Sequence, residues 1–140
     1  PVPDTTIRPR YITGFGQDNV YTLFFEDRND AVGCSPAGTY RIKFSQTANG
    51  AFALSAPAST NLCETHFIAK PWPVTIGATA YAYRGWGAVG NVPDMKFYVS
   101  NDLINWVYVS TFFIPVPNAV VPGGDSIYYG FHDLIEINGT

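Results

Sequence analysis

Charge is scarce in this 140-residue chain: Asp, Glu, Lys and Arg make up 14% of it, against about a quarter in an average soluble domain. The balance is 8 Lys+Arg against 11 Asp+Glu, a formal charge of −3, with only three lysines. Such a chain is a poor counter-ion for phosphates, so nucleic acid is not an expected partner. Cysteine is nearly absent. Cys34 and Cys63 alone make neither a disulfide framework nor a four-ligand zinc site. They are left as either one bridge across the 28 intervening residues or two buried thiols. No apolar run approaches the ~20 residues of a membrane span, so membrane insertion is not expected. Long helices are excluded by 13 Gly and 11 Pro, which punctuate the chain throughout. The chain opens Pro1-Val2-Pro3-Asp4 without an initiator Met or a leader; the reading is a removed leader or a piece of something longer.

What is present is apolar and aromatic. Phe, Trp and Tyr make up 16% of the residues, which excludes disorder. The length fits one domain with a moderate core. The expectation is a single all-β domain, secreted or otherwise extracytoplasmic. Asn138-Gly139-Thr140 is a glycosylation sequon, a three-residue pattern that also arises by chance.

The chain repeats itself weakly. Tyr40-Arg41-Ile42-Lys43-Phe44-Ser45 alternates, with Tyr40, Ile42 and Phe44 on one face, and Met95-Lys96-Phe97-Tyr98-Val99-Ser100 has the same period. Period two is that of a half-buried strand. A polar turn and an aromatic follow each: Gln46 to Ala51 before Phe52, and Asn101 to Asn105 before Trp106. Further strands are predicted at 53–56 and 107–111, and upstream at 7–12, 20–26, 66–69 and 78–84. Four short strands in roughly 50–55 residues match the size of a large propeller blade. The predicted units are 5–58, 62–115 and a partial unit 118–140 with strands at 126–131 and 134–137, about two and a half blades.

Phe97-Tyr98-Val99-Ser100-Asn101-Asp102-Leu103-Ile104-Asn105-Trp106 resembles the Ser-x-Asp-Leu-x-x-Trp hairpin of five-bladed propeller glycosidases of the arabinanase and xylosidase type. It is also similar to the Asp-box of sialidases, from which it differs by lacking the Gly, with Asn105 near that place. The resemblance implies a structural hairpin: Ser100 and Asp102 tie down backbone amides and Trp106 packs between blades. It further implies a propeller-like fold, which needs at least four blades to close. Two and a half would close by homo-oligomerisation or as part of a longer chain. A monomeric β-sandwich is the alternative, since eight to ten short strands also fit that architecture.

Glycoside hydrolysis needs two carboxyl groups about 5–10 Å apart. The candidates outside the Asp102 turn are Glu26, Asp27, Asp30, Glu64, Asp94, Asp125, Asp133 and Glu136. Adjacent Glu26 and Asp27 point to opposite faces of a strand. In the resembled enzymes a first Asp opens the first blade; Asp4 or Asp18 would have to serve, and neither stands in a matching motif. Hydrolysis is therefore not the expected function, and no cofactor or metal site is expected. The pairs Glu64/His66 and His132/Asp133 are too short for three or four convergent metal ligands. The resemblance nominates His132 alone for an axial ion.

Sugar binding combines a flat aromatic with planar polar groups. Tyr83-Arg84-Gly85-Trp86-Gly87 offers a Trp held out between two glycines with an Arg beside it. Lys70-Pro71-Trp72-Pro73 holds a second Trp in a stiff segment that cannot join a sheet interior. Glu26-Asp27-Arg28 is read as the sister of Tyr83-Arg84-Gly85. The expected function is thus carbohydrate binding without hydrolysis, through Tyr83, Arg84, Trp86 and Trp72, with Glu26, Arg28, His132 and Asp133 as further ligand residues. A shortened relative of a propeller glycosidase is one alternative. A structural or adhesion module that anchors a protein partner through its Trp and Arg residues is the other.

Overall fold

A computed structural model describes residues 8–48, 51, 53–88 and 94–113. All regular structure among them is β. The first four strands are β1 (Pro9–Gln17), β2 (Val20–Asp27), β3 (Tyr40–Gln46) and β4 (Ala58–Glu64), which pair antiparallel in the order β1-β2-β3-β4. Then come β5 (His66–Lys70), the short pair β6 (Val74–Ile76) and β7 (Thr79–Tyr81), β8 (Tyr83–Ala88), β9 (Asp94–Ser100) and β10 (Val107–Phe113). The second four-stranded sheet has the order β10-β9-β8-β5, and β6 and β7 form their own hairpin. Each large sheet is thus a meander whose neighbours follow one another along the chain, interrupted in the second by the β6–β7 hairpin. Only Thr65 separates the sheets, and its amide extends the second ladder by donating to the Ala88 carbonyl at 3.1 Å.

The two sheets face each other across an aromatic core. Phe24, Ile42, Phe44 and Leu62 come from the first sheet, Phe67, Ala69 and Tyr98 from the second, and Leu103 and Trp106 from the β9–β10 turn. Trp106 is inserted between the sheets, edge-on to Phe67 at 5.0 Å and to Phe24 at 6.1 Å between ring centroids, and Phe24 meets Phe67 at 5.3 Å. Contacts of this kind are worth about 0.5–1.5 kcal/mol each beyond the area they bury. The alternation in β3 holds, with Ile42 and Phe44 turned into this core. In β9 the core takes Tyr98, while Phe97 and Val99 point to the other side of the second sheet, next to Trp86 and Arg84 respectively.

The β9–β10 turn is held by its own side chains. Ser100 Oγ donates to the Asn105 carbonyl at 2.8 Å and accepts from the Leu103 amide at 3.1 Å. Asp102 Oδ1 accepts from the amides of Ile104 and Asn105 at 2.9 and 2.7 Å, and Oδ2 from the Asn105 side chain at 2.8 Å. Leu103 adopts a φ of 65°, costly for a side chain with a Cβ; its burial in the core and the surrounding hydrogen bonds offset that strain. Trp106 Nε1 donates to the Leu103 carbonyl at 2.8 Å. Ser100 and Asp102 thus tie down backbone amides of the turn while Trp106 packs in the core between the two sheets.

Three expectations about strands are corrected. β1 runs on to Gln17, beyond the expected end at 12, with Gly14 and Gly16 where the backbone and side chains of β2 press close. A Cβ on Gly14 would stand 2.6 Å from the Thr22 carbonyl oxygen and 2.8 Å from Leu23 Cδ2. The turn to β2 then takes two residues, Asp18 and Asn19, with φ of 51° and 61°, a conformation suited to these residue types. The strand expected at 53–56 is replaced by the single bridge Thr47–Leu54, and the outer strand forms after Pro57, so the sheets meet at Thr65. The strand expected at 78–84 divides: Thr79–Tyr81 pairs locally with β6, and sheet pairing begins at Tyr83. The unit expected at 118–140 lies outside the described residues.

Cys34 and Cys63 form a disulfide with their Cα atoms 5.4 Å apart. It ties the long β2–β3 connection to the outer strand β4.

Candidate functional site

Alternation along β8 sorts the expected sugar-binding residues onto two faces. Tyr83, Gly85 and Gly87 point into the space between the sheets; Arg84 and Trp86 point outward. The glycines are needed on the inner face. A Cβ at Gly85 would lie 2.6 Å from Phe67 Cζ and 2.7 Å from Trp106 Cζ3, and one at Gly87 would lie 2.9 Å from Glu64 Cδ. Gly85-Trp86-Gly87 is therefore part of a strand rather than a turn.

On the outward face Trp86 packs beside its cross-strand partner Phe97, ring centroids 5.7 Å apart, and meets Trp72 edge-on at 5.8 Å. Trp72 comes from the Pro71–Pro73 segment between β5 and β6, which the prolines keep out of the ladder. Arg84 Nη2 donates to the Pro73 carbonyl at 2.9 Å, fixing this segment against the sheet. Its Nε–H is buried and has no acceptor among the described residues. Both indoles are half-buried. The structure thus brings Trp72, Trp86 and Arg84 together and leaves Tyr83 out.

Glu26 and Arg28 do not join them. Pairing Leu23 with Ser45 and Tyr83 with Ser100 makes Glu26 the counterpart of Trp86, three residues away from the expected match to Tyr83. Glu26 is 1% exposed and turned toward the inter-sheet space, where Arg28 Nε donates to Oε1. Burial raises its pKa against the opposing effect of Arg28. The Arg28 guanidinium in turn lies over the Tyr40 ring at 4.6 Å. His132 and Asp133 lie outside the described residues.

Glu64, Asp27 and Asp30 are also engaged. Glu64, 1% exposed, accepts from Lys96 Nζ at 3.0 Å and from the Tyr98 hydroxyl; burial and this carboxylate push the Tyr98 pKa up. Asp27 takes Lys43 at 2.7 Å and the amides of Arg8 and Asn29, both at 3.0 Å. Burial alone would raise its pKa, but these partners hold it below the ordinary value. Lys43 also reaches Asp30 at 3.3 Å. Glu64 and His66 are parted by the bend at Thr65. His66 stacks on Tyr11 at 4.0 Å, its pKa lowered by burial and by Arg10. Among the described residues no three His, Cys, Asp or Glu side chains converge as metal ligands. These carboxylates act as internal counter-charges that neutralise lysine and arginine at the sheet surfaces.

Tyr83 lines a different place. At the β1–β2 turn end of the seam between the sheets a cleft of about 330 Å³ is lined by Phe15, Gln17, Asp18, Thr22, Gln46 and Tyr83, among others. The Phe15 and Tyr83 rings stand 6.0 Å apart between centroids. Sequence reasoning missed this cleft because its walls come from four separate strands. Only the Gln17-Asp18-Asn19 turn residues carried a local signal. No protein-family model, no curated protein and no solved structure matches the chain.

Proposed function

We propose that the chain is a carbohydrate-binding, lectin-like module built of propeller-type blades, which holds a saccharide without hydrolysing it. One observation carries the binding role: the edge-to-face Trp72–Trp86 pair on the outward sheet face, with Arg84 beside it. Indoles offer the flat apolar surface on which the C–H face of a sugar stacks. The half-buried Arg84 guanidinium beside them offers a cationic edge for a charge-assisted hydrogen bond to a hydroxyl oxygen. Secretion and a five-bladed glycosidase-like ancestry fit this reading. Glu26, Asp27, Asp30 and Glu64 are each held by a cation, which favours binding over hydrolysis.

The blade reading is supported by how the sheets correspond. With Ser45 matched to Ser100, the core-facing Phe24, Ile42 and Phe44 of the first sheet match Arg84, Phe97 and Val99 on the outward face of the second. Successive blades are related in this way. Two facing halves of a sandwich would match inner face with inner face. The same correspondence favours a second reading, in which the outward face receives a sheet of another copy and closes a ring.

A glycan array probed with the protein and with Trp86→Ala, alongside light scattering of both, tests the two readings. Retention on a defined sugar class, lost in the variant at unchanged molecular mass, is the expected result. Silence across the array overturns the sugar reading. A multimer that falls to monomer in Trp86→Ala favours ring closure through this face.

A further inference from the structure

The cleft at the seam is chemically unlike the outward face and stands independently of the role proposed for Trp86. Phe15 and Tyr83, tilted by 30° to each other, give it an apolar wall. Facing that wall are groups with unused hydrogen-bonding capacity. Gln46 Nε2 donates to Thr22 Oγ1 at 3.0 Å, which leaves its Oε1 to accept. Thr47 Oγ1 accepts from the Tyr21 amide at 2.9 Å, which leaves its hydroxyl proton to donate. Gln17 and Asp18 sit at the tight β1–β2 turn, where the φ of 51° at Asp18 is set by the hairpin itself, so both are presented by a rigid element. Among the described residues no lysine, arginine or histidine lines the cleft.

We propose that this cleft is a ligand site for a single neutral sugar ring. An apolar wall opposite amides, a hydroxyl and a carboxylate matches a pyranose, which has one C–H face and a rim of hydroxyls. The volume, about 330 Å³, lies at the small end of the ~300–1,000 Å³ usual for small-molecule sites, and suits one ring rather than a chain. The lack of a lining cation disfavours uronic and sialic acids, whose carboxylate would enter beside Asp18 without a counter-charge. The outward Trp face offers a side-on platform; the cleft accepts an end, so the ring it holds is a terminal one.

The test is a ¹H–¹⁵N NMR titration with methyl β-D-glucopyranoside, methyl β-D-xylopyranoside and, as the charged comparison, glucuronate. The glycosides are taken to about 50 mM, well above a Kd of about 1 mM. Saturable shifts at the Gln17 and Gln46 side-chain amides and the Thr47 amide are expected with at least one neutral glycoside, and no saturation with glucuronate. Gln17→Ala, at an exposed position, is expected to weaken the neutral glycoside about five-fold, the loss of one hydrogen bond. Trp86→Ala should leave the cleft titration unchanged, so the failure of one site is read separately from the other. Absence of saturable shifts with both glycosides, equal binding of glucuronate, or unaltered affinity in Gln17→Ala overturns the proposal.

Discussion

Gly85→Ala tests the inter-sheet packing directly, because a single methyl group would be placed among aromatic rings. Its Cβ would lie 2.6 and 2.9 Å from Phe67 and 2.7 Å from Trp106, whereas carbon atoms pack comfortably at about 3.5–4.0 Å. Both rings would have to retreat by about 1 Å. Neither is free to do so: Phe67 is pressed edge-on against Phe24, and Trp106 is pinned through Nε1 to the Leu103 carbonyl. Overpacking of this kind costs about 1–3 kcal/mol, and a site closed on three sides belongs at the upper end. Against it stands the ~0.4–1 kcal/mol by which Gly→Ala stabilises through the unfolded chain. The net expectation is a loss of about 2 kcal/mol. For a domain of this size that lowers Tm by roughly 6–8 °C and the urea midpoint by about 1 M at unchanged m. Trp106→Phe, which shortens the opposing side chain, should couple to Gly85→Ala by about 1 kcal/mol in a double-mutant cycle. A midpoint that stays put or rises in Gly85→Ala would refute the packing, since only the unfolded-state gain would then remain.

Replacing Cys34 and Cys63 together by Ser should cost about 3–4 kcal/mol by loop entropy for a separation of 29 residues; urea unfolding of the variant and the oxidised protein measures it, and coincident curves would count against the bridge. The Asp102 turn gives a pH signature. The Asn105 side chain first, then the Asn105 and Ile104 amides and Ser100, hold this carboxyl at about 2, below its ordinary 3.8. A depressed carboxyl pKa adds stability that is fully present above about 4 and is lost as pH falls through about 2. Asp102→Ala should therefore cost about 1–2 kcal/mol near neutral pH, limited by its exposure to solvent. The gap to the parent should close as melting curves are taken toward pH 2; a gap that persists there would contradict the assignment.

Two levels of this architecture were legible in the residues and a third was not. The alternation of β3 and the Ser100-to-Trp106 hairpin followed from local rules: a period of two, and short polar side chains that cap a turn. The register between units did not follow. If the expected units are matched at Ser45 and Ser100, the β8–β9 connection is shorter than the β2–β3 connection, and the ladder partners Leu23–Ser45 and Tyr83–Ser100 then set Glu26 against Trp86 rather than Tyr83. That difference misplaced Glu26 and Arg28, whose residue types suited an acceptor role but whose positions turn them into a buried ion pair. In β9 the more apolar face, Met95, Phe97 and Val99, is turned away from the first sheet, and the face that meets it carries Lys96, Tyr98 and Ser100, with Lys96 and Tyr98 bonded to the buried Glu64.

Packing explains why Gly85-Trp86-Gly87, two glycines around a Trp, forms part of a strand. On one side of β8 two missing Cβ atoms admit Phe67, Trp106 and the buried Glu64; on the other, the intervening residue is free to be the largest side chain available. The inner face demands small residues at alternate positions, and period two then delivers Trp86 and Arg84 outward together, one beside Phe97 and the other beside Val99. Closure of the core and display of the outward aromatic face are therefore consequences of one register. A one-residue slip of β8 would drive Trp86 into the inter-sheet aromatics and turn both glycines outward, losing the packing and the candidate site at once.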